Sequence, residues 1–459
     1  MNHSIRIVLC SMLLVCALFA QPATDFTSAD SVLIDSSMAA CDDVNEIRGV
    51  EQEATARGDN ARRALHKALW PPRFAVDVLL RTAAVSAVFL DETRIIKKFS
   101  EVFYLGNTGI GWFPVIDFVS GFEPALGASL FYRKTYFKSR FKGAFANPDI
   151  WRFRVNTSHT FFAYNKYWQF NASASAEKSD NLRFYGVGSN PLDDSRNDFL
   201  QGTEKEFGRF QQIRSLVELG IGIRPSANWE LFLNSSFLHR EINDPTSGDD
   251  LFGTVFDISK IAGFDASNRK WYNELVVRLD TRPNLRRVLP GVRKEAYLGY
   301  SLGLDDDPGR IIRTGFDVSA FLPVYAKTRF LIPRVVLDAT IPTNDSLDFV
   351  DYARQPAFRG KSRSDLLRND RHSMLASLEY NWPLTHHINA ALFFEELFVA
   401  RELVDLFSER GPWVAGFQFD MHNPYSELAR IYAGYGSEGI IFKLKIGFSS
   451  RYTDRSEWK

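Results

Sequence analysis

The sequence is short of several things that would place it in a familiar class. It has 3 cysteines in 459 residues, and two of them, Cys10 and Cys16, lie in an amino-terminal apolar run, which leaves Cys41 alone in the rest of the chain. A single cysteine closes no internal disulfide, so no disulfide framework holds the fold. Neither sign of charge is in excess. With 55 Lys+Arg against 55 Asp+Glu, the chain is neither a globally basic nucleic-acid binder nor an acidic disordered polymer. Long apolar runs are missing beyond the first 20 residues, and the mean hydropathy is −0.19. That excludes a helical transporter, which needs several apolar runs of about 20 residues. Methionine is scarce (5), whereas aromatics are plentiful, with 39 Phe, 16 Tyr and 9 Trp. This balance suits an extracytoplasmic β-protein better than a cytosolic enzyme.

The amino end reads as a targeting segment. Met1–Arg6 supplies one positive charge, Ile7–Ala20 is an unbroken apolar run too short to span a bilayer, and Ala20 precedes the polar QPATDFTSADS. That is the grammar of a secretory signal peptide over residues 1–20. Val15 before Cys16 is not small, so the lipoprotein reading fails. Removing residues 1–20 takes away Arg6 and no acid, leaving 54 basic and 55 acidic groups, a charge of −1. Residues 21–72 are polar and aromatic-poor, a loosely ordered periplasmic leader ended by Trp70-Pro71-Pro72. In 73–108, Arg73–Glu101 carries apolar residues at helical spacing with Asp77 and Arg81 among them. This predicts an amphipathic helix, either lying in a membrane interface or packed on its own protein.

From Gly109 to Phe448 the period changes to two. Trp151, Phe153, Val155, Thr157 and Phe161 fall on one face, opposite Arg152, Arg154, Asn156 and Ser158. Leu275, Val277 and Leu279 oppose Glu274, Arg278 and Asp280, and Phe442, Leu444, Ile446 and Phe448 oppose Lys443 and Lys445. One apolar and one charged face per strand, repeated many times behind a signal peptide, predicts an all-β transmembrane antiparallel barrel with lipid outside and a polar lumen. A sheet in a bilayer must close, because an open edge would leave N–H and C=O groups unpaired in hydrocarbon. Segments start near 110, 125, 151, 166, 205, 229, 270, 293, 311, 328, 371, 386, 412, 427 and 440, and the weakly patterned Thr135–Ala146 supplies one more. The expectation is therefore a barrel of about 16 strands over 109–448, an even number as bacterial outer-membrane barrels have, followed by a tail at 449–459. Asn190–Leu200 and Ile341–Arg359 then fall on long outer loops, and PNLRRVLPG, PVYAK and NPYS on short inner turns.

Three stretches carry a family resemblance. Phe358-Arg359-Gly360 is followed by Asn369-Asp370-Arg371-His372 and by Leu378-Glu379-Tyr380-Asn381-Trp382-Pro383. Arg183 precedes Phe184-Tyr-Gly-Val-Gly-Ser189, and Ala429–Gly439 reads ARIYAGYGSEG. Over residues 70–450 the chain resembles the barrel of the BamA/TamA-type outer-membrane insertase and translocase superfamily, the bacterial surface antigens. Lys361 stands where that family has an aromatic, and Tyr432 where it often has Asp. The resemblance implies that the loop arginine, Arg359, folds back into the lumen and pairs with acids on the facing wall. Candidate partners are Glu379, which shares the polar face of its strand with Leu375, Ser377 and Asn381, Asp420 beside Gln418, and either Glu395 or Glu396. Gly360 would let the chain turn tightly there. No periplasmic module of the βααββ type is visible between residue 21 and the barrel, so the chain resembles the short branch of the superfamily.

Nothing here predicts an enzyme. His159 and His372 are not part of a His-x-Ser pair, His386-His387 has no third ligand in sight, and Asp305–Asp307 and Asp249-Asp250 read as solvated loop acids. No phosphate-cradling Gly loop opens a helix, and no cofactor or metal is expected. The resemblance implies a bacterial outer-membrane protein of membrane biogenesis that moves or folds polypeptide or lipid through a weak seam between first and last strands. Its partners would be outer-membrane lipid and lipopolysaccharide and client outer-membrane proteins, with no nucleic acid. The alternatives are a porin-like diffusion channel lined by Arg152, Arg154, Arg278, Lys443 and Lys445, and a surface-exposed structural or adhesive barrel acting through loops 245–270 and 343–370.

Overall fold

A computed structural model describes residue 105 and residues 108–446, apart from 106–107, 120–124, 135, 165, 201–205, 246–249, 265–266, 283–287, 305–309, 325–327, 344–346, 356, 361–367, 386–387, 409–410, 423–426 and 438. The signal peptide, leader, amphipathic helix, carboxyl tail, His386-His387 and Asp305–Asp307 all lie outside the described residues. Sixteen antiparallel strands form one closed barrel. The first eight are β1 (Ile110–Val119), β2 (Ala125–Arg133), β3 (Phe137–Asn147), β4 (Ile150–Ala163), β5 (Lys166–Phe184), β6 (Gly208–Arg224), β7 (Trp229–Asn243) and β8 (Ser267–Asp280). The other eight are β9 (Gly291–Gly303), β10 (Ile311–Pro323), β11 (Phe330–Pro342), β12 (His372–Pro383), β13 (Ile388–Ala400), β14 (Trp413–His422), β15 (Glu427–Gly436) and β16 (Gly439–Ile446). β1 meets β16 with Ile116 opposite Ile446 and Val119 opposite Lys443, which closes the ring. The stretch Thr135–Ala146, weakest in alternation, is indeed strand β3.

Burial is inverted relative to a water-soluble protein. On β12 the apolar Leu378 is 46% exposed, whereas its neighbour Glu379 is 4% exposed. Val217, Leu219 and Ile221 of β6 and Leu392 and Phe394 of β13 also face outward and lie open. So wide an apolar belt is stable only against hydrocarbon, and the strands cross a membrane with their polar faces inward. No helix among the described residues is long and apolar enough to cross a membrane. The four longest connections (185–207, 244–266, 343–371 and 401–412) all lie at one end of the barrel.

The long ends fold over the mouth. A short helix, α1 (Phe252–Val255), sits in the β7–β8 connection. Phe252, Val255 and Phe256 pack with Phe184 and Val187 from the end of β5, Phe210 and Ile242 from the wall, and Phe349 and Val350 from the β11–β12 connection. Phe210, Phe252, Val255 and Phe256 are fully buried, so three connections share one aromatic plug. Phe349 meets Phe184 and Phe210 edge-on at 5.0 and 5.1 Å between ring centroids, the arrangement ring quadrupoles favour.

Candidate functional site: a loop clamped inside the lumen

The β11–β12 connection does not stay at the mouth. It carries Phe358 and Arg359 into the barrel, where Arg359 is 3% exposed and Phe358 packs with Leu375, Leu397 and Val414 of the wall. A buried guanidinium must have each donor answered, because an isolated buried charge is costly. Arg359 Nε donates to Glu395 Oε1 at 2.9 Å, Nη2 to Glu379 Oε2 at 2.9 Å, and Nη1 to Gln418 Oε1 at 3.0 Å. Its backbone N–H also donates to Glu395 Oε2 at 2.7 Å. The guanidinium carbon stands 3.8 Å from the ring centroid of Phe393, a cation–π contact within a desolvated site. Ser377 Oγ donates to Glu395 at 3.2 Å and Asn381 Nδ2 to Glu379 at 3.4 Å, which holds both carboxylates in place.

The structure separates the sequence candidates. Glu395 and Glu379 contact Arg359 directly. Glu396 does not join them: it follows the outward parity of Leu392 and Phe394, since neighbours on a strand take opposite faces. Asp420 is one step removed. It accepts from Gln418 Nε2 at 2.5 Å and from Arg430 Nε at 2.7 Å, so Gln418, which the sequence offered only as its neighbour, is what touches the loop. Gly360 sits at a bend without a positive φ, and a Cβ there would collide with the Phe358 ring, so the close approach of that ring is what requires glycine.

Two further locks hold the same connection, and the sequence reading found neither. Asp351 accepts from Arg240 Nη1 at 2.9 Å and from Lys270 Nζ, and Asp348 accepts from Lys270 Nζ at 3.0 Å and from Asn268 Nδ2. Burial pushes Asp348 above the usual carboxylate range, and the nearby Asp351 adds to that. Burial also acts to raise Asp351, but Lys270 and Arg240 outweigh it and hold that carboxyl well below the usual range. At the mouth, Arg196 Nη2 donates to Asp370 at 2.7 Å and Nη1 at 3.0 Å, while Arg196 Nε donates to Asp194 at 2.9 Å. Asp194 is lowered: burial opposes this, and the Arg196 hydrogen bonds override it. The same two carboxylates raise Arg196 above its ordinary value against the effect of burial.

That lock joins two of the sequence motifs. Gly188 N–H donates to the Asn369 carbonyl at 3.0 Å, and Asn197 accepts from Val187 N–H at 2.7 Å while donating to its carbonyl at 2.9 Å. Gly186 and Gly188 have φ of 93° and 94°, which only glycine adopts readily, so the Gly-Val-Gly turn is built for this docking. A spacing signal for Asp348 and Asp351 did exist, two acids three apart among apolar residues of a connection. Nothing local points to Lys270, some 80 residues away.

The channel-lining candidates are also lumenal. Arg152 pairs with Glu177 at 2.7 Å, and Arg278 bridges Glu230 at 2.9 Å and Glu295 at 2.8 Å. Lys443 and Lys445 share the inward parity of Ile441. The charge chain continues from Glu295 through Arg293 and Asp317 to Arg334 at 2.8–2.9 Å per step, which ties β7 through β11 along their inner faces.

No family model and no curated protein matches the chain. Among solved structures, BamA from Haemophilus ducreyi lacking POTRA domains 1–3 is similar at a TM-score of 0.50 and 11% identity, over 74% of this chain and 70% of that one. CdiB from Acinetobacter baumannii gives a TM-score of 0.46 at 7% identity over 74% of this chain, which spans 60% of that protein's length. At such identities the likeness is one of fold. With its strand number, its closure and its apolar outer belt, the chain has the fold of the BamA-type outer-membrane β-barrel.

Proposed function

We propose that this chain acts in outer-membrane biogenesis in the manner of the BamA/TamA-type superfamily, moving or folding polypeptide or lipid through the seam between β1 and β16. The observation that carries the reading is the triple clamp on Arg359 by Glu395, Glu379 and Gln418. A loop held inside the lumen by buried charges obstructs passage along the barrel axis, which suits a barrel that works through its wall. On this reading the protein is not an enzyme, resides in the bacterial outer membrane after loss of its signal peptide, and has outer-membrane lipid, lipopolysaccharide and client outer-membrane proteins as partners.

The test is planar-bilayer conductance of the refolded chain without residues 1–20, compared with a deletion of 355–365. A nearly closed wild type that opens on deletion supports the reading. Equal, steady conductance from both sinks it and favours the second reading, a diffusion channel. That alternative draws on the lumenal cations Arg152, Arg154, Arg278, Lys443 and Lys445.

A further inference from the structure

The inner wall is balanced on one side of the barrel and unbalanced on the other. On β8 to β11, Arg278, Arg293, Arg313 and Arg334 meet carboxylates, but on β6 and β7 two arginines, Arg214 and Arg240, stand directly opposite each other in register. Like charges in that relation destabilise a sheet, because their Cβ atoms are only about 5 Å apart. Both side chains are buried, at 8% and 3% exposure. Arg214 uses Nη1 on Glu177 at 3.1 Å, and its Nε and Nη2 are buried with no hydrogen-bond partner. Those two nitrogens form the edge of the guanidinium that takes two oxygens side by side. Arg240 uses Nη1 on Asp351, and its Nε is likewise buried and unanswered.

The surroundings add charge of the same sign. Arg154 and Arg152 lie within reach of Glu177, Arg354 and Arg240 within reach of Arg214, and Lys270 beside Arg240. The carboxylates that the two facing guanidiniums bond are Glu177 for Arg214 and Asp351 for Arg240. The next inward carboxylate on β6, Glu218, is four residues away along the strand. Arg240 and Lys270 line a small lumenal pocket, bordered also by Ser236, Tyr272 and Ser301. The place lies just below the aromatic plug, since Ile242 of that plug is two residues from Arg240.

We propose that the Arg214–Arg240 pair is a binding site for a phosphate-type oxyanion inside the barrel. One oxygen pair lies on the Nε/Nη2 edge of Arg214, and a third oxygen accepts from Arg240 Nε. Such an oxyanion supplies the acceptors that these three buried nitrogens lack. Asp351 and Arg354 come from the β11–β12 connection, so the bound anion also ties that loop to the wall. The inference uses the barrel geometry alone and holds whichever functional reading is right.

The test is the thermal midpoint of the purified, detergent-solubilised chain with added inorganic phosphate, against chloride at equal ionic strength. Arg214→Gln and Arg240→Gln are examined alongside, with phosphorus NMR of the added phosphate as a second readout. A phosphate-specific rise for the wild type, with apparent affinity weakened roughly tenfold or more in Arg214→Gln, supports a soluble ligand. If free phosphate gives nothing but phosphatidic acid in mixed micelles gives a shift that Arg214→Gln abolishes, the oxyanion is a lipid headgroup. No shift with either probe overturns the proposal, as does an equal shift in wild type and Arg214→Gln. Should Arg214→Gln fail to fold, Arg240→Gln takes its place: a weakened phosphate shift supports the site and an unchanged one overturns it.

Discussion

Arg359 illustrates how unequal the two ways of disturbing a buried ion pair are. Three wall residues are placed for its guanidinium, and two of them, Glu379 and Glu395, are carboxylates with almost no exposure. Arg359→Ala would leave both without their cation, at a cost of about 3–5 kcal/mol. The expected outcome is a lower temperature for the mobility change of the folded barrel on semi-native gels. Arg359→Lys should fall between, because a single ammonium cannot reach three acceptors in the guanidinium's planar geometry. A wild-type transition in the alanine variant would remove Arg359 from the account. The sequence made the arginine and Glu379 legible but not the choice between Glu395 and Glu396. The run Leu392-Phe-Phe-Glu-Glu-Leu397 doubles its letters, so both registers read as alternating, and only outward Leu392 and Phe394 resolve it.

As an element, the β11–β12 connection is held at three places, and the middle one titrates in two directions. Asp351 is depressed in the folded barrel, so its contribution to docking is complete above the ordinary carboxylate value and is lost as pH falls through its lower, folded value. Asp348 is raised, so it takes up a proton first, and docking gains as pH falls through that raised value because its repulsion with Asp351 ends. The groups facing the two acids are Lys270, Arg240 and Asn268. Hydrogen exchange over residues 347–355, corrected for its intrinsic pH dependence, should show protection that holds or rises on mild acidification and collapses in strong acid. Asp348→Asn should flatten the first phase, and Asp351→Asn should lose protection already at neutral pH. Loss of protection on mild acidification in the wild type would contradict the assignment. None of this could be read from the sequence, because a loop acid and its lysine 78 positions away share no local pattern.

At the scale of the molecule, the sixteen strands were legible, because alternation is set by each residue's neighbours and the bilayer demands it on every strand. What was not legible is how three connections close the mouth, since Phe184, Phe252 and Phe349 meet only once the ring exists. The β1–β16 seam offers a test at this scale. Ile116 and Ile446 are direct partners, so Ile116→Cys with Ile446→Cys should cross-link on oxidation. If traffic passes through the seam, the oxidised form loses it and reduction restores it, while conductance is unchanged. Undiminished activity in the cross-linked barrel would argue against passage through the wall.

That same pairing decides the order of events in assembly. Residues 116 and 446 are 330 positions apart, so the first strand waits for almost the entire chain before its outer edge is satisfied. Bringing ends so distant together costs about 5 kcal/mol in chain entropy, recovered only when the last strand docks. Every earlier intermediate is an open sheet with two bare edges, a form hydrocarbon does not tolerate. The chain must therefore be kept out of the bilayer core as a nascent polypeptide, or be helped into it, until its final strand has arrived.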